Sequence, residues 1–117
     1  MVKMYGIPNC DTVKKAISWL NKNKIAFTFH DYKKEGITAT KLKEWCKLKN
    51  WEIIFNKKSS TWKQVMTAHD GIVNNPAEAI HIMLHHTSII KRPVIEMNGT
   101  ILIGYNETAY KEYFLKD

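Results

Sequence analysis

The chain has 117 residues, 44% of them apolar, with 18 Lys and Arg against 11 Asp and Glu, a formal net charge of +7. That length suits a single domain, residues 1–117, able to bury a core without disulfides or a structural metal. No apolar run approaches the ~20 residues of a bilayer span, and Met1 to Gly6 reads as a strand rather than a signal peptide, so a soluble cytoplasmic protein with no membrane partner is expected.

Val2 to Gly6 is the first predicted strand, and Ile7-Pro8-Asn9 a loop, since Pro and Asn favour turns. From Asp11 the apolar residues take helical spacing, at Val13, Ala16, Ile17 and Leu20, with lysines on the other face and Asn21 to Lys24 closing the helix. Ile25 to Tyr32 alternates as a second strand, with Phe27, Phe29 and Asp31 on one face and Thr28 and His30 on the other. Gly36 breaks the chain, and Thr38 or Thr40 caps a helix carrying Leu42, Trp45, Cys46 and Leu48. A helical turn over Trp51 to Phe55, a polar loop over Lys57 to Thr61 and a short helix over Trp62 to Thr67 follow. Asn75 caps a helix with Pro76 at its first position, running to about His86. Val94 to Met97 and Thr100 to Gly104 form a hairpin about Asn98-Gly99, and Asn106 caps a last helix with Tyr110, Tyr113 and Phe114 as its apolar stripe.

The order is β-α-β, several helices, then β-β-α. A β-α-β unit makes its strands parallel and a two-residue turn makes its pair antiparallel. The expected fold is therefore α/β and thioredoxin-like, a four-stranded mixed sheet with a helical insertion at about 37–88.

Charge and metal-ligand patterns narrow the function. The excess cations are lysines spread along the chain, Arg92 being the only arginine, and no nucleic-acid motif is present, so the surface reads as solvated and no direct nucleic-acid binding is expected. His81, His85 and His86 lack the Glu of a zinc-protease helix, and two cysteines make neither a disulfide framework nor a four-ligand zinc site, so no metal and no bound cofactor are expected.

The informative residue is Cys10, where the first loop enters the first helix. Unpartnered N–H groups and the helix dipole put partial positive charge there, which favours the nucleophilic thiolate. The same N–H groups can hold an oxyanion beside the sulfur. Lys14 and Lys15 add positive charge in the sequence around it. The residue three after Cys10 is Val13, so no C-x-x-C pair closes, and the thiol that releases the product must come from elsewhere, with glutathione or a partner's cysteine as the source. Cys46, on a mid-helix position among lysines with no helix start to activate it, reads as structural or incidental.

Tyr5-Gly6-Ile7-Pro8-Asn9-Cys10-Asp11-Thr12-Val13-Lys14-Lys15-Ala16, then Asn56-Lys57-Lys58-Ser59-Ser60-Thr61-Trp62-Lys63, then Ile90-Lys91-Arg92-Pro93-Val94 resemble, in order, segments of the arsenate reductase (ArsC)/Spx/YffB family, the YffB branch above all. The resemblance implies a cytoplasmic thiol reductase with Cys10 as nucleophile and glutathione, or a glutaredoxin-like thiol, as co-substrate. It implies Arg92 as an anion-binding or pKa-lowering cation and Pro93 as a cis proline shaping the substrate groove. Asn9, Asp11, Thr12 and Lys14 around the cysteine, with Lys57 and Lys58 near a family arginine position, complete the implied anion or glutathione site. Three departures count against arsenate as substrate: Tyr105 stands where arsenate reductases place another arginine, lysine lacks the bidentate fork of arginine, and the Asp11 carboxylate beside the thiol repels an arsenate anion. The alternatives are a true arsenate reductase and an Spx-like regulator that binds RNA polymerase. Val13, in place of a second cysteine, argues against an Spx redox switch.

Overall fold

The computed structural model describes residues 1–115. The strands are β1 (Val2–Gly6), β2 (Phe27–Asp31), β3 (Val94–Met97) and β4 (Thr100–Ile103). The α-helices are α1 (Asp11–Lys22), α2 (Tyr32–Glu35), α3 (Ala39–Leu48), α4 (Trp51–Ile54), α5 (Ser60–Val65), α6 (Pro76–His85) and α7 (Glu107–Phe114), with 3-10 turns at Met66–His69 and Thr87–Ile89. The chain divides into two compact units, one made of residues 1–31 with the segment from Arg92 on, the other of Tyr32–Lys91.

The first unit holds the sheet, in the order β2-β1-β3-β4. β1 runs parallel to β2, Val2 facing Phe27 and Gly6 facing Asp31, and antiparallel to β3, which pairs antiparallel with β4. This is the thioredoxin-like mixed sheet expected from the element order. β1 is central and buried at Val2, Met4, Tyr5 and Gly6, as a strand with neighbours on both sides should be. Met97 pairs with Thr100, which leaves Asn98 and Gly99 as the hairpin loop, both at positive φ (49° and 77°). These are the dihedrals that match the strand twist and that Asn-Gly tolerates best.

One sheet face carries α1 and α7. Val13, Ala16, Trp19 and Leu20 of α1 join Val2, Met4, Ile95 and Tyr110 in one buried cluster. Trp19 meets the edge of Tyr110 at 5.4 Å and lies 6.0 Å from Phe114. Each such large side chain contributes on the order of 1.5–3 kcal/mol on burial, and together they fix where α1 starts relative to the end of β1.

The second unit is helical. α3 packs on α6 with Leu42, Trp45, Ala79, Ile80 and Met83 buried. Phe55 pairs with Ile90 in an isolated antiparallel bridge and meets Trp62 edge-on at 5.0 Å.

Several boundaries differ from expectation, among them the helical turn at Trp51, which ends at Ile54 because Phe55 bridges to Ile90, and α5, which gives way to a 3-10 turn at Met66. Gly6 of β1 faces Asp31 and β1 ends there, so the ladder stops at Asp31 and Tyr32 opens α2 instead of closing β2. β2 also starts two residues late, because Lys24 turns at φ 58° and the Ile25 N–H bonds back to Leu20. Ser59 caps α5, its Oγ accepting from the Thr61 N–H at 3.2 Å, so the helix takes in Ser60 and Thr61, expected as loop. Gly104, at φ 78°, ends β4 one residue early. In addition Leu48, expected on the apolar stripe, is exposed at 45%.

Candidate active site

Cys10 is the N-cap of α1, in extended conformation (φ −144°, ψ 125°), and its carbonyl accepts the first helical hydrogen bond, from the Lys14 N–H at 2.9 Å. The residue is half-buried and packs against the core cluster below α1. Partial burial alone pushes a thiol up. Here it is outweighed: the Val13 N–H, the Arg92 guanidinium and the Thr12 N–H, with the charge of Arg92, favour the thiolate and lower the Cys10 pKa, although the side chain makes no capping hydrogen bond to the helix start. Orphan N–H groups of a helix start and one cation are the environment that makes a cysteine reactive.

Arg92 reaches this place through backbone geometry. It stands two residues before β3, the Arg92–Pro93 bond is cis, and the Pro93 carbonyl accepts from the Gly104 N–H at 2.8 Å. Gly6 ends β1 against both partners of the thiol, since a Cβ there would lie 3.0 Å from Val13 Cγ2 and 3.7 Å from Arg92 Cβ. Gly6 stood in the quoted motif without a role. A glycine ending a buried strand is itself a sign of close approach, and that was the available signal.

Cys10, Thr12 and Arg92 thus come together, with Pro93 buried next to Arg92. Asn9 and Asp11 flank the thiol and are exposed, Asp11 being the acidic residue of the first turn of α1. Lys14 and Lys15 are not among the groups that lower the thiol. They are exposed and line an open groove of about 550 Å³ with Trp19, Lys22 and Tyr105. Lys57 and Lys58 lie in the second unit. Lys57 Nζ sits 5.9 Å from the Trp51 ring and 3.9 Å from a Glu52 carboxylate oxygen, and the Lys58 N–H donates to Asn56 Oδ1 at 3.1 Å. Cys46, also in the second unit, is half-buried, and burial pushes its thiol up. Among the described residues both cysteines are free, no three His, Cys, Asp or Glu side chains gather to hold a metal, and no helix is long and apolar enough to cross a membrane.

A family model described as "ArsC family" matches residues 5–113. The chain belongs to the ArsC family. A solved YffB protein is 40% identical, with a TM-score of 0.89 over 94% of this chain and 96% of its own. An arsenate reductase (ArsC) related protein from Brucella melitensis is 38% identical, with a TM-score of 0.74 over 99% and 95%. An uncharacterized protein of Haemophilus influenzae is 37% identical over 97% of this chain and 99% of its own. The global transcriptional regulator Spx of Lactiplantibacillus plantarum is 26% identical over 97% and 86%. Among the described residues of this ArsC-family chain, Cys10 is the cysteine that stands at a helix start, where the Val13 and Thr12 N–H groups and Arg92 lower its pKa.

Proposed function

We propose that this ArsC-family protein is a cytoplasmic thiol reductase that works through Cys10 alone and takes its reductant from glutathione. The observation that carries this is the lowered thiol at the start of α1, held by Val13, Thr12 and Arg92. Position 13 is a fully buried valine, so no resolving thiol stands one turn on, and Cys46 has a raised pKa. An external thiol must complete the cycle, and reducing cytoplasm supplies one in excess.

In the proposed cycle the Cys10 thiolate attacks the glutathione sulfur of a mixed disulfide on a substrate protein. A Cys10–glutathione bond forms as the original S–S bond breaks, and the electron pair leaves on the substrate thiolate, which takes a proton from water. A second glutathione thiolate then attacks the glutathione sulfur on Cys10, releasing glutathione disulfide and the Cys10 thiolate. The N–H groups of Thr12 and Val13 and the Arg92 guanidinium stabilise the thiolate as attacker and as leaving group.

Arsenate is the weaker substrate reading, since Asp11 places a carboxylate next to Cys10 and Arg92 is the only arginine of the chain. The test is incubation with glutathione disulfide followed by mass mapping. One glutathione on Cys10, none on Cys46, and its removal by reduced glutathione support the reading. No adduct on Cys10, or one that glutathione cannot remove while arsenate oxidises the protein's thiol, overturns it.

A further inference from the structure

The groove along α1 offers a surface that the thiol chemistry does not use. Lys14, Lys15 and Lys22 line it over a floor that includes the buried Trp19 and half-buried Tyr105. These three lysines make no ion pair with a described residue, and the one carboxylate on the rim, Glu107, sits 3.8 Å from Lys111 Nζ. The groove is therefore cationic, with aromatic surface beneath, and complements an anionic occupant.

The length of the charged face limits what that occupant is. Helical rise is 1.5 Å per residue, so Lys14 stands ~6 Å and Lys22 ~18 Å along the axis from Cys10. The carboxylates of a glutathione bound through its sulfur sit at the ends of a tripeptide, each about one extended residue or two from the cysteine, ~10 Å at most, short of the ~18 Å to Lys22. A polypeptide continuing from the departing substrate cysteine reaches it, since an extended chain spans ~3.3 Å per residue. A nucleic acid finds no arginine in the groove to take its phosphates in a bidentate fork.

We propose that the Lys14–Lys22 face of α1 docks an acidic segment of the protein whose oxidised cysteine is delivered to Cys10. This rests on the single-thiol reading and adds the substrate class, a cysteine flanked within about five residues by Asp or Glu.

The experiment uses two glutathionylated peptides of the same length, one with Asp and Glu beside the cysteine and one with Asn and Gln. Wild type should release the acidic peptide ~10-fold faster at low salt, with the preference fading at high salt. The Lys15→Glu, Lys22→Glu double variant should lose or invert that preference. Binding of the unreactive acidic peptide to Cys10→Ser protein, read by fluorescence anisotropy, checks docking without chemistry. Equal rates and no binding, with Cys10 still reactive toward iodoacetamide, overturn the docking surface and leave the thiol reading standing. An inert Cys10 together with tight binding of the acidic peptide removes the thiol reading while keeping the surface. Binding of a single-stranded oligonucleotide in place of the acidic peptide, or a double variant slowed only in the glutathione step, also overturns the proposal.

Discussion

The Cα of Gly6 faces Val13 so closely that an added Cβ would lie 3.0 Å from Val13 Cγ2, and the Val13 N–H is the largest of the groups that lower the Cys10 pKa. The end of β1 therefore sets the position of the first turn of α1. Gly6→Ala forces Val13 to move by a few tenths of an ångström or more. It should destabilise the protein by ~1–3 kcal/mol, the usual cost of overpacking a close contact. It should also raise the Cys10 pKa by disturbing one of its donors. Thermal unfolding together with thiolate absorbance against pH checks both. A stable variant with an unchanged Cys10 titration would show that the first turn is set by other contacts.

The Arg92 guanidinium beside Cys10 helps to lower its pKa, as a donor group and by its charge. Arg92→Ala should move the Cys10 pKa upward, though the Val13 and Thr12 N–H groups keep part of the depression. Arg92→Lys retains a charge but loses the planar donor fork and should fall between wild type and the alanine variant. The rate of glutathione disulfide attack at pH 7 should follow the same order.

The legible part of the fold came from local chemistry. Asn98-Gly99, Asn75-Pro76 and Asn106 mark a turn and two helix starts by what their own side chains do. Asn75 Oδ1 accepts from the Glu78 N–H and Asn106 Oδ1 from the Ala109 N–H, both at 2.9 Å. Tyr32 was misread because its fate depends on where β1 ends, a fact about another strand. At the site, the placing of Cys10 was legible from its step between loop and helix. Lys14 and Lys15 looked like its cations in sequence, yet side-chain direction puts them in a groove with Tyr105. Arg92, distant along the chain, was reachable only through the family resemblance.

Protonation of Cys10 links to stability with a definite sign. Its folded pKa lies below that of the unfolded thiol, near 8.5. The stabilisation is therefore complete above the unfolded value and is lost as pH falls through the folded one. The stability difference between wild type and Cys10→Ser should grow as pH rises across that window. Urea unfolding at several pH values reads it, and a pH-independent difference would contradict a depressed thiol.

Tyr110 gives the opposite sign. Burial, with a smaller contribution from Tyr105, pushes its phenol well up, and the neutral hydroxyl donates to the Gly104 carbonyl at 2.6 Å. Its stabilisation is present below the ordinary phenol value of about 10 and is lost as pH climbs beyond that. Tyr110→Phe should cost ~1 kcal/mol at neutral pH and make alkaline unfolding less steep, as circular dichroism against pH would show.

The Val13 and Thr12 N–H groups and the Arg92 guanidinium draw the Cys10 pKa below that of a free thiol. The most direct measurement is the rate of iodoacetamide alkylation of Cys10 against pH, resolved from Cys46 by mass spectrometry. The account predicts an apparent pKa for Cys10 well below the ~8.5 of a free thiol, with Cys46 slow and titrating above it. A Cys10 that titrates like a free thiol, or no lower than Cys46, would contradict it.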